Sequence, residues 1–443
     1  FKFVEIWLQH VVKSQLLPTF ITTEQHVARV LSACAGGFIE GFSHTQYTSL
    51  VGWTNVYLRQ SSVRVAEALM FASRHAITRS EITISTMKTF HYWISMYYFE
   101  IVTTCVYPSS IGSQSDLRLV LDAHGKGLMS GVVRTGYDVV VTQWTHSLLA
   151  ASMTQIGKGL MYGSRSIVLR TRIPYVVEDM AIYYSHIVES IMTFIALFDY
   201  TSLSFVTTQE HLYTLVAACG VGLTDGIPRD ASDISGWTVV YYRVCLKKVM
   251  ASISTIGISI TTRGSVPTFV HGDVPTVIET MVSRIVTIVS TWTTSTTHTA
   301  TAIDLQHIIS HVTEGFVLGC GGMPVDRTID GVTYRQYFTK RIPKYIIKHV
   351  YLFVRTGGGF PSIVDPSIFV QNIVDVAVRT TCTSTELTGG TGMITSKQHV
   401  LDYVEHVFEH LGIYFWPSQH HAHFDTVFAS VSNTYSTSTI DYV

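Results

Sequence analysis

The sequence predicts a mainly α-helical protein, with a large helical domain bearing a smaller helical one, a cleft between them and few short strands. Apolar residues recur at helical spacing over long windows, which is the main signal. Of the 443 residues, 47% are hydrophobic and only 14% charged, enough to bury a large core and leave apolar surface for an oligomer. Turn signals are few, so the elements between them are long.

Near the amino terminus, Val4, Trp7, Leu8, Val11 and Val12 follow the i, i+3, i+4, i+7, i+8 pattern of an amphipathic helix. Ile187, Ile191, Phe194, Ile195 and Phe198 repeat it, as do Leu305, Ile308, Ile309, Val312 and Phe316. Near the end, Leu401, Val404, Phe408 and Leu411 form an apolar stripe, with Asp402, Glu405, His406 and Glu409 on the other faces. The β-branched content favours strands locally, but the long helical periodicity outweighs it. A short strand-like part is expected near residues 34–60, where β-formers mix with a turn. The expected turns are CAGGFIEG (34–41), YPSS (107–110), TDGIPRD (224–230), GCGGMP (319–324), TGGGFP (356–361) and TGGTG (388–392). No internal repeat stands out.

Composition excludes several classes of function. The formal net charge is −1, with no basic block, so nucleic-acid binding has no electrostatic support. The six cysteines are scattered without a CxxC pair, which points to a reducing compartment and away from a disulfide framework or zinc ribbon. The uncharged run Ile285–Ile303 is long enough to span a bilayer but is too rich in Thr and Ser to favour it. Asparagine occurs only three times, in a chain rich in Thr and Ser.

Candidate chemistry is thin at any single motif. His420, His421, His423 and Asp425 could hold zinc or iron, but their spacing matches no helical ligand pair and a solvated loop is the preferred reading, so no metal is assigned. The Gly-rich stretches match neither GxGxxG nor GxxxxGK[ST], and no GxSxG supports a serine nucleophile. His271, in a Val-His-Gly step, taken alone reads as a core histidine. The order of features on its carboxyl-terminal side shifts that balance. A helix and a Gly-rich turn lead to Arg327 and Asp330 in an R-x-x-D arrangement; then come Asp375 in NIVDVAV and a long helix after Ser396–Lys397 that runs to Trp416–Pro417.

This order resembles the citrate synthase family, at Phe269–Gly272, Gly319–Gly331, Ile373–Asp375, Ser396–Lys397 and Trp416–Pro417. Weaker echoes, from VEIWLQHVVKSQLLPTF (4–20) to LRTRIPYVVEDM (169–180), extend the likeness almost end to end. The resemblance implies an all-α homodimer, with residues 1–270 in the large domain, 271–380 mainly in the small one and 381–443 returning to the large. It implies condensation of acetyl-CoA with oxaloacetate and water to citrate and coenzyme A. No cofactor is permanently bound and coenzyme A is a cosubstrate. The amino-terminal helix implies a mature mitochondrial matrix enzyme, with no membrane or nucleic-acid partner; the first residue is Phe, so either a leader has been removed or the start is missing.

The acetyl methyl is a very weak acid, so a carboxylate must sit beside it while the thioester oxygen is stabilised. The resemblance gives Asp375 as the base and His271 as a neutral donor to that oxygen, its pKa depressed by a helix N-terminus. Asp365 competes for the base, at the expense of larger gaps. Arg170 and Arg327 match arginines that meet coenzyme A phosphates, though each also reads as a solvated surface residue. Several positions depart from the family: no histidine stands near residues 230–237 where one is expected, and the closing Arg-Pro step is Trp416–Pro417 here. The family's second histidine falls at Gly322 or Met323, neither of which donates a proton. The arginine that grips a substrate carboxylate is Lys397 here, and lysine lacks the bidentate fork. An inactive helical homodimer and a 2-methylcitrate synthase-type enzyme are the alternatives.

Overall fold

A computed structural model of the chain describes residues 2–13, 23–43, 55–79, 87–105, 114–133, 146–169, 187–191, 194, 209–227, 245–251, 254–255, 302–321, 328–329, 332–356, 366–388 and 392–414. These are almost entirely helical, as periodicity predicts. The chain divides into two compact units, residues 1–242 and 243–443.

In the first unit the helices are α1 (Lys2–Lys13), α2 (Glu24–Ser43), α3 (Asn55–Arg79), α4 (Met87–Cys105), α5 (Gln114–Val133), α6 (His146–Leu169) and α7 (Gln209–Asp225). Each packs chiefly on the helix two before it: α3 on α1, α5 on α3, α4 on α2 and α6 on α4, while α7 lies on α6. Val4 and Leu8 of α1 are buried as expected, whereas Trp7 is 38% exposed and meets the Phe38 ring of α2 edge-on at 5.3 Å. The stripe at Ile187 and Ile191 is helical and buried too.

The crossings share one device. Gly127 and Gly131 of α5 lie against the carbonyl oxygens of Val63 and Glu67 on α3. Gly159 and Gly163 of α6 lie against Tyr92 and Met96 on α4, and Gly222 and Gly226, at the end of α7, against Thr154 and Lys158 on α6. A Cβ at any of these glycines would overlap the facing backbone, so only hydrogen there lets the helices approach so closely. This corrects the expectation of no internal repeat. Gly-Lys-Gly-Leu-Met-x-Gly occurs at 125–131 and again, 32 residues on, at 157–163. Helices α2 to α6 start at intervals of 31, 32, 27 and 32 residues.

The strand-like part expected near 34–60 is corrected in part, its residues 44–54 lying outside the described residues. Residues 34–43 continue α2 and 55–60 open α3, so CAGGFIEG is helix interior, not a turn. Local Gly-Gly propensity loses there to packing, because Gly36 is buried in α2 against the Ile101 side chain.

The second unit contains a helical stretch at 245–251, then α8 (Ala302–Gly321), a two-residue antiparallel ladder β1 (Thr328–Ile329) with β2 (Val332–Thr333), α9 (Tyr334–Thr356), α10 (Pro366–Thr383), α11 (Thr385–Thr388) and α12 (Lys397–Tyr414). Gly315 and Gly319 repeat the crossing device against the Lys247 and Ala251 carbonyls, and the Lys247 ammonium pairs with Glu314 beside it. Helices α8, α9, α10 and α12 start 32, 32 and 31 residues apart. The expected stripes of α8 and α12 face the core through Ile309, Val312, Phe316, Val404, Phe408 and Leu411. Stacked rings join α9 to α12, Phe338 on Tyr403 at 5.6 Å, with Tyr351 and Tyr414 further along at 5.1 Å. The expected domain boundary at 270 lies outside the described residues; that at 380 falls within α10.

Candidate functional site

Three segments of the second unit meet at one corner: the end of α8, the start of α9 and the loop that leads into α12. Each joint has a specific cause. The Tyr334 hydroxyl donates to the Cys320 carbonyl at 2.8 Å, tying α9 to the end of α8. Gly321 sits against Leu387 so closely that a Cβ would overlap the leucine side chain. Ile394 N–H donates to the Leu387 carbonyl at 2.7 Å, tying the segment before α12 to α11. The Arg335 guanidinium reaches the Gly392 carbonyl through Nη2 at 3.4 Å.

Helix α12 begins at Lys397 because Ser396 caps it. The His399 N–H donates to the Ser396 Oγ at 3.3 Å, the spacing of an N-cap. The His399 Nδ1 accepts from the Thr395 N–H at 3.2 Å. In the neutral ring Nε2 therefore carries the proton. Burial first, then the nearby Arg335 guanidinium, hold the His399 pKa below its usual value, while Asp402 opposes them. Asp402 itself accepts from the Gln398 amide at 2.7 Å. The corner thus presents a guanidinium, a neutral imidazole N–H and a helix N-terminus, a set of donors suited to an anion.

Of the expected site residues, Asp375 is half-buried on α10, between the buried pairs Ile373–Val374 and Ala377–Val378. By helical repeat it shares a face with Cys382, whose thiol is buried. Lys397 opens α12 at the corner. His271, Gly322, Met323, Arg327, Arg170, Asp365, Trp416, Pro417 and the cluster His420, His421, His423 and Asp425 lie outside the described residues. Among the described residues no group of three His, Cys, Asp or Glu side chains is placed to hold a metal, and no helix is long and apolar enough to cross a membrane.

Sequence reasoning missed Arg335 and His399. Arg335 lies two residues beyond β2 and His399 two beyond Lys397, and neither falls in a motif. Only the Ser396–Lys397 step, singled out by the resemblance, marked the place. Neither a scan against protein-family models nor a comparison with curated proteins gives a match.

Proposed function

We propose that the chain catalyses a citrate synthase-type condensation of acetyl-CoA with oxaloacetate and water. Asp375 takes a proton from the acetyl methyl while His271 donates to the thioester oxygen. The resulting carbon nucleophile attacks the ketone of oxaloacetate, and water then cleaves the thioester to release coenzyme A. The observation that carries the reading is the corner itself. The start of α9, which follows the R-x-x-D stretch, is tied to the Gly-rich end of α8 by Tyr334 and to the segment leading into Ser396–Lys397 by Arg335, and the resemblance assigns those surroundings to substrate. Homodimerisation and a mitochondrial location belong to the same proposal.

The test is thiol release from acetyl-CoA, with and without oxaloacetate. The expected result is oxaloacetate-dependent release that falls at least ~100-fold in Asp375→Asn, the usual size of a general-base contribution. Release that ignores Asp375→Asn would move the base to Asp365 or end the mechanism. Preference for propionyl-CoA would select the 2-methylcitrate variant. The residues at 322, 323 and 397 favour a second reading, an inactive helical homodimer, which predicts no release by a folded dimeric chain.

A further inference from the structure

The geometry points to Arg335 and His399 as an anion-binding pair that takes one carboxylate of a dicarboxylate substrate, supplying the fork that Lys397 lacks. The choice of a dicarboxylate rests on the condensation reading; the anion site does not. Arg335 is half-buried with Nε wholly enclosed and unpaired, and its one bond among the described residues is the long contact to Gly392. A guanidinium held this way has donors to spare in a planar array. His399 adds Nε2–H, because Nδ1 is already committed to Thr395. The N–H groups of Lys397 and Gln398 open α12 with no carbonyl a turn back inside the helix. Asp402, a carboxylate that acts on His399, is engaged by Gln398. A carboxylate bridging the guanidinium and the imidazole N–H would offset the charge that helps to depress His399.

The experiment titrates the full-length chain with malonate by calorimetry, with inorganic phosphate as a second arm and no CoA thioester present. Malonate should bind saturably and more tightly than phosphate. Arg335→Gln should weaken malonate at least tenfold. Arg335→Lys should recover only part of that loss, because a point charge lacks the fork. His399→Gln should weaken it less. A second readout needs no Arg335 variant: in the wild-type chain, malonate should raise the His399 pKa seen by NMR, with the signal assigned by its loss in His399→Gln. Absence of saturable binding, equal binding by folded Arg335→Gln, or a His399 signal blind to malonate would each overturn the site. Tighter phosphate than malonate would overturn the dicarboxylate assignment. A chain that binds malonate through Arg335 yet releases no coenzyme A keeps the site and loses the reaction.

Discussion

At the crossings of α7 with α6 and of α5 with α3, a single methyl group separates a tolerated residue from an impossible one. Gly222→Ala would drive a Cβ into the Thr154 carbonyl, backbone against backbone, with no flexible side chain to give way. It should lower stability by about 2–3 kcal/mol, the scale of an overpacked core. Gly37 is the internal control. It also sits in a helix, but a Cβ there meets nothing within 4 Å. Gly37→Ala should therefore raise stability by ~0.5–1 kcal/mol, because alanine removes the entropic penalty of a helical glycine. Urea midpoints of the two variants should move in opposite directions; movement in the same direction would mean that the crossing is looser than described. Nothing in the local sequence separates these two glycines, since both stand in a Gly-x-x-x-Gly pair.

At the scale of the element, the helices were the most legible part of the chain. The stripes of α1, α8 and α12 each formed a helix with much of the stripe buried. The caps emerged from the structure: Thr23, Thr333 and Ser396 each accept from the N–H three residues on. Ser396→Ala should cost ~1 kcal/mol, as the loss of an N-cap does. It should also weaken malonate binding, by loosening the helix start that presents His399. Urea unfolding and calorimetry on the same variant check both effects. Illegible at this scale was the fate of CAGGFIEG. Paired glycines usually punctuate a chain, and here they make room for Ile101 of α4, a residue more than sixty positions away. The Arg335–His399 site was illegible for the same reason, since its members stand on α9 and α12 and no spacing joins them.

For the whole molecule, stability should depend on pH through a buried histidine outside the proposed site. His124 is fully enclosed, its Nδ1–H donates to the Val120 carbonyl at 2.7 Å, and its ring lies 5.2 Å from that of Tyr98. Burial lowers its pKa from 6.5 to about 4, with the bond to Val120 opposing the shift. The folded chain then holds His124 neutral where the unfolded chain protonates it. Its contribution is complete above about pH 6.5 and is lost as pH falls toward 4. The loss should be on the order of 3 kcal/mol at most. Urea midpoints between pH 7 and 4.5 should fall, and fall less in His124→Gln. An equal fall in both would assign the acid sensitivity to other groups.

By itself, the amino-acid sequence determined the helical class, the apolar stripes of several helices and the order of motifs behind the functional proposal. These depend on patterns within one turn or one stripe, where residues near in sequence are near in space. Tertiary structure alone decided which glycines are crossings, that a Gly-Gly pair is helix interior, and that the Arg335 charge acts on His399. Each of these depends on the backbone or charge of a distant helix, and that identity enters only when the two elements pack.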